Sequence, residues 1–151
     1  MAVVLGESDA TRIARKSGRK FTQCKCNKCK SQCQTPCLGT PEDIEKIIDA
    51  GYADCIYKTE WASGIIMGVT TEMITMYQAE ATDAGCIFFK DGLCELYDLG
   101  LKPLEGRLSH HSIKVDNFNP KKSLSWLIAK EWIDERNADT IQRIKEKLIS
   151  Y

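Results

Sequence analysis

The sequence predicts an α+β domain: a small β-hairpin or short sheet and a cysteine-rich loop, packed with several helices, and a helical hairpin at the C-terminus. Three stretches carry that reading. Thr40-Pro41-Glu42-Asp43 is a helix start, with Thr as N-cap, Pro at the first helical position and acids in the first turn. CIFFKDGLCELY, from Cys86 to Tyr97, places apolar residues on either side of a Lys90-Asp91-Gly92 turn, the pattern of a β-hairpin. Residues 120–151 carry two apolar stripes at helical spacing. A chain of 151 residues, 43% hydrophobic and 28% charged, fits one domain over 1–151 with its own core.

In chain order, residues 1–20 read as an arm or a short helix, capped at Ser8-Asp9, running through Lys16 and ended by Ser17-Gly18. Next comes CKCNKCKSQCQTPC, residues 24–37, which holds five of the eight cysteines. Cys26, Cys29, Cys33 and Cys37 are spaced to line one face of a helix. At 1.5 Å rise per residue, however, Cys26 and Cys37 would stand roughly 16 Å apart along it. A tetrahedral metal holds sulfurs at about 2.3 Å, so four such thiols cannot share an ion on a straight helix. Pro36 also opposes an unbroken helix. The stretch is therefore looped, or its thiols are completed from elsewhere in the chain.

The helix opened by Thr40 carries Ile44, Ile47 and Ile48 on one face and stops at Gly51. Cys55 reads as a small buried core cysteine. Ile65-Ile66-Met67 and the run from Met73 to Tyr77 read as strands bounded by Gly68 and threonines, with Trp61 in the core or at its rim. In the 86–97 hairpin, register decides what the cysteines can do. A two-residue turn pairs Phe89 with Cys94 and puts Cys86 and Cys94 on opposite faces. A three-residue loop with Gly92 left-handed pairs Phe88 with Cys94 and Cys86 with Leu96, which puts both thiols on one face. The second register is the one expected, with Ile87, Phe89, Leu93 and Tyr97 on the other face. His110 and His111 are adjacent, so at most one serves a given metal, and surface positions suit them. Lys121–Arg136 reads as a helix with Leu124, Leu127, Ile128 and Trp132 in its stripe. After a break at Asn137, a last helix carries Ile141, Ile144 and Leu148.

Cysteines this dense displace apolar packing residues and point to a chemical use. No apolar run approaches the roughly 20 residues of a membrane span, and the N-terminus lacks the pattern of a secretory signal. A cytoplasmic location is expected, where clustered thiols hold metal more often than they form disulfides. The leading expectation is a metal-binding protein, its ion held by thiolates of the 24–37 loop and the 86–97 hairpin. Zinc is favoured, and iron or an iron–sulfur cluster is the alternative, because tetrathiolate sites suit all of these. The metal is the one partner implied, and whether the chain is an enzyme stays open because no general base or substrate pocket can be named. Eight Lys and Arg lie between Arg12 and Lys30 with no acid among them. A nucleic-acid-binding zinc module using this 12–30 stretch is thus a second reading, although Phe21 is its sole aromatic and lysines also offset thiolate charge. A third is thiol redox chemistry at Cys26-x-x-Cys29, without the βαβ pattern of a thioredoxin.

Residues 24–110, with the cysteine stretch, TPEDIEKI and CIFFKDGLCELYDLGLKPLEGRL, resemble the bacterial and archaeal cysteine-cluster family known as the putative zinc- or iron-chelating domain. Its pattern is C-x2-C-x2-C-C, a helix opening on a Pro-acid pair, a hairpin with two cysteines, and R-P-x-x-C-R. The resemblance implies that Cys26, Cys29, Cys33, Cys86 and Cys94 are metal ligands, with Cys24 at a position where some members carry an extra cysteine. This chain departs from the pattern at two thiols. Gln32 replaces the first of the adjacent pair, and Gly106 in KPLEGR stands where the last cysteine belongs, with Lys102 in place of the arginine. Cys37 is an additional thiol, and Cys37, His110 or His111 are the residues that could make up the number.

Overall fold

A computed structural model of the chain describes residues 8–19, 21, 37–82, 85–90, 93–94, 96, 99–108, 121 and 123–149. It is an α+β fold in which helices surround short antiparallel ladders. Helix α1 spans Asp9–Ser17; the Ser8 side chain accepts from Thr11 N–H to cap it, and Gly18 ends it. Helix α2, Pro41–Ile47, opens on a complete capping box between Thr40 and Asp43. It runs on in wider turns over Ile48–Tyr52, and Gly51 at φ 101 breaks it. Strands β1 (Ile56–Trp61) and β2 (Ile74–Ala79) form a two-stranded antiparallel ladder running from Ile56 opposite Ala79 to Trp61 opposite Ile74.

Between these strands the structure corrects the expectation for Ile65-Ile66-Met67. They belong to a short helix, α3 (Ser63–Met67), not a strand. Gly68 supplies the reason. It adopts φ 77, and its N–H closes back onto Gly64 and Ile65 carbonyls, a helix end that residues bearing a Cβ resist. A short apolar run cannot be assigned by periodicity alone, so the closing glycine decided it.

The hairpin is corrected as well. Two short ladders replace one long one. β3 (Ala81–Thr82) pairs with β4 (Gly85–Cys86), and β5 (Phe89–Lys90) pairs with β6 (Leu93–Cys94). Phe89 stands opposite Cys94 and Lys90 opposite Leu93, the two-residue-turn register. Cys86 pairs with Ala81 rather than Leu96. Phe88 and Leu96, outside both short ladders, are each 1% exposed and sit in the core.

Helix α4 spans Leu104–Leu108, α5 spans Leu124–Ala129 and α6 spans Ala138–Ile149. The expected single helix over 121–136 is instead α5, capped by Ser123, followed by 3-10 turns at Lys130–Trp132 and Glu135–Asn137. Asp134 interrupts it by adopting extended backbone and accepting from Arg136 N–H. Its stripe is nevertheless inward: Leu124, Leu127, Ile128 and Trp132 are all buried.

Two apolar clusters result. The larger joins Ile44, Ile47 and Ile48 of α2 with Ile74 and Met76 of β2, Cys86, Phe88, Leu96, Trp132 and Ile144; Cys55 packs against it half-buried. The smaller packs Ile13 of α1 against Leu104 and Leu108 of α4 and the stripe of α5. Leu38 touches both clusters, so the residue beside Cys37 is the wedge between them.

Candidate functional site

The segment from Cys37 to Asp43 is held more tightly than any sequence pattern required. Leu38 exchanges two hydrogen bonds with Glu105: Glu105 N–H donates to the Leu38 carbonyl at 3.0 Å, and Leu38 N–H donates to Glu105 Oε1 at 3.1 Å. Gly39 is gripped in the same way by the buried Gln78 of β2. Its N–H donates to Gln78 Oε1 at 2.9 Å, while its carbonyl accepts from Gln78 Nε2 at 3.1 Å and from Trp132 Nε1 at 2.9 Å. Thr40 closes the capping box with Asp43. Each backbone group satisfied in this way avoids the penalty of an unpaired buried donor or acceptor, about 1–3 kcal/mol.

Asp43 then ties this strip to α4. Its Oδ2 accepts from Thr40 N–H and from Leu104 N–H at 2.9 Å, and its Oδ1 accepts from Arg107 Nη2 at 2.9 Å. Burial raises the Asp43 carboxyl above its usual range, against the pull of Arg107 and the two backbone donors. Burial likewise raises Glu105, against the Leu38 N–H and Arg19. Arg107 also donates from Nε to the Lys102 carbonyl at 2.9 Å, and its guanidinium lies 5.6 Å from the centre of the Phe21 ring.

On this mount the Cys37 sulfur meets Gly106. A Cβ built on Gly106 would stand 3.0 Å from Cys37 Sγ and 2.5 Å from Lys102 Cε. Glycine lets this close approach happen: a side chain at 106 would displace the buried stem of Lys102 and press on the thiol. Both ends of the segment 22–36 thus meet the same short helix, Phe21 on Arg107 and Cys37 on Gly106.

Of the residues expected to bind metal, Cys37 is half-buried on α4 and Cys86 is buried in the main core, 8% exposed. Cys94 stands at its place in β6 opposite Phe89. Cys24, Cys26, Cys29 and Cys33, like His110 and His111, lie outside the described residues. Among the described residues, no three His, Cys, Asp or Glu side chains come together in a way that could hold a metal ion. The register expected to bring Cys86 and Cys94 together, Phe88 opposite Cys94 and Cys86 opposite Leu96, is corrected: Cys86 pairs with Ala81 and Cys94 with Phe89, in two separate ladders.

Two cations of the basic stretch are taken up within the fold. Arg12 is 7% exposed and pairs with Glu131 and, at 2.8 Å, with Asp9. Arg19 donates to the Leu108 carbonyl at 3.3 Å. These two cations serve the packing of α1 on α4 and α5. Among the described residues, no helix is long and apolar enough to cross a membrane.

Sequence reasoning missed the mount. Lys102 and Gly106 stood out in it as departures from a family pattern, and Gln78 and Trp132 carried no signal for gripping Gly39. The Thr40 N-cap was visible, but the return bond from Asp43 and its reach across to Leu104 and Arg107 were not. No family model, characterised protein or solved structure matches the chain.

Proposed function

We propose that this chain is a metal-binding protein in which thiolates of the 24–37 stretch hold the ion, with Cys37 as the anchored ligand. The observation that carries the reading is the contact of Cys37 Sγ with the Cβ position of Gly106. Gly106 is where the resembled pattern places its last cysteine. In this chain, a thiol delivered from residue 37 occupies the space that a side chain at 106 would fill.

Chain connectivity supports the rest. Cys33 is four residues from Cys37, so the two Cα atoms are within about 14 Å, and Cys24 is within about 11 Å of Phe21. Because Phe21 and Cys37 both rest on α4, the thiols between them are tethered near one place. The reading places the ion on this stretch rather than dividing it evenly with the hairpin, where Cys86 and Cys94 stand in two separate ladders. Zinc is the ion proposed, with iron or an iron–sulfur cluster as the alternative filling of the same thiolates. A closed thiolate site leaves no open position for substrate, so the proposed role is to hold metal, not to use it in catalysis.

The test is elemental analysis with a visible spectrum on protein purified without oxygen. One zinc per chain and no colour is expected for the wild type, with loss of most of it in Cys37→Ser and full retention in Cys55→Ser. A wild-type protein without stoichiometric metal overturns the proposal. A brown sample containing iron and sulfide keeps the ligands and overturns zinc.

A further inference from the structure

We infer that β1 is the interface through which two copies of this chain associate, by antiparallel pairing of β1 with β1 of a second copy about a two-fold axis at Thr59. This does not rest on the metal reading. Among the described residues β1 pairs with β2 and with no other strand. The ladder register also fixes which backbone groups face outward. Glu80 N–H donates to the Cys55 carbonyl across the ladder at 2.9 Å. Hydrogen-bonded pairs alternate along an antiparallel ladder, so Tyr57, Thr59 and Trp61 turn their backbone groups toward β2. Lys58 and Glu60 therefore turn theirs away from it, and both side chains are exposed. An outward row of unsatisfied N–H and C=O groups is a template for another strand.

The side chains make that template fit its own copy. With the axis at Thr59, Lys58 falls opposite Glu60 of the second copy, and Glu60 opposite its Lys58. These are the positions that would exchange N–H···O=C bonds, and the opposed charges attract twice. On the other face, Tyr57 falls opposite Trp61 of the second copy. That face is continuous with buried Ile74, Met76 and Gln78 of β2, which stand opposite Trp61, Thr59 and Tyr57 in the ladder. Yet Tyr57 itself is 42% exposed, and Trp61, stacked on Trp126, is only half-buried. Under β1 the core runs out to an open edge, and two crossed Tyr–Trp pairs would close it. A lysine on an edge strand ordinarily discourages pairing. Here the glutamate two residues on makes the edge self-complementary under two-fold symmetry, the arrangement an isologous dimer needs.

Charge reversal tests this without breaking the fold, because both side chains face solvent. Sedimentation velocity on the full chain over a range of concentrations is expected to show a reversible dimer. Lys58→Glu or Glu60→Lys alone sets like charges opposite each other twice and is expected to raise the dissociation constant about tenfold or more. The double variant K58E/E60K restores opposed pairs and is expected to return it to near the wild-type value. Mixing the two single variants gives a heterodimer tighter than either homodimer. Lys58→Pro, which removes an outward donor and leaves the bonds to β2 intact, gives a monomer with an unchanged circular dichroism spectrum. A wild-type chain that stays monomeric at all concentrations overturns the inference. So does a dimer that neither single reversal weakens.

Discussion

Removing the Asp43 carboxylate tests whether the Cys37–Asp43 strip is fixed in the way its hydrogen bonds imply. The two oxygens divide their work. Oδ2 accepts from both backbone donors, Thr40 N–H and Leu104 N–H, while Oδ1 takes Arg107. Asp43→Ala strands both buried N–H groups and leaves Arg107 without its carboxylate. At about 1–3 kcal/mol per stranded group, the expected loss is about 3–5 kcal/mol. That is a large share of the 5–15 kcal/mol of stability typical of a domain. Asp43→Asn separates the two oxygens. Its carbonyl can keep both backbone donors, but its amide then faces Arg107 donor to donor, so the expected loss is only about 1–2 kcal/mol. Urea unfolding followed by tryptophan fluorescence measures both. The pH dependence adds a sign. Because burial raises Asp43 above its ordinary value of 3.8, its contribution is complete below that pH and declines as pH rises through the higher folded value. Asparagine does not titrate, so the advantage of the wild type over Asp43→Asn should shrink as pH rises through that window. An advantage that grows with pH would show that Arg107 outweighs burial. An alanine variant within about 1 kcal/mol of wild type would refute the strip as described.

Three further perturbations probe the frame around it. Arg12→Ala leaves Glu131 buried beside Asn137 without its cation, and a loss of about 3–5 kcal/mol is expected in chemical denaturation. Glu45 is held below the usual carboxylate range, first by its hydrogen bond to Arg143 and against some burial, with Lys147 adding to the pull. Its contribution is therefore present above about pH 4.5 and lost as pH falls through the lower folded value. Glu45→Gln should flatten the acid limb of the thermal stability profile in that window, and an unchanged limb would exclude it as the source. Gln78→Ala deprives Gly39 N–H of its acceptor while Trp132 still serves the Gly39 carbonyl. About 2 kcal/mol is expected by urea denaturation, and a loss comparable to Asp43→Ala would mean that Gln78 holds more than Gly39.

What could be read in advance follows the range of the physics involved. The caps at Ser8 and Thr40 are legible because a side chain there bonds a backbone N–H three residues on, and the stripes of α2 and α5 because helical spacing is local. The strand expected at Ile65–Met67 failed because a closing glycine outweighed a β-branched pair. The hairpin register was not legible because Lys90-Asp91-Gly92 fits a two-residue turn and a three-residue loop alike, and the two give different pairings. Phe88 and Leu96 are buried in a cluster that includes Trp132 and Ile144, which the sequence of the turn does not contain. The candidate site divides in the same way. Five cysteines in fourteen residues announce a chemical use, but nothing local says which sulfur is fixed. That answer comes from Gly106, sixty-nine positions beyond Cys37. Alone, Gly106 looked like a thiol lost. In the fold it is the space through which Cys37 reaches α4, and Phe21 on Arg107 brings the other end of the stretch to the same helix. Fixing Cys37 by Leu38 and Gly39 removes beforehand part of the ordering entropy that a bound metal would otherwise have to offset.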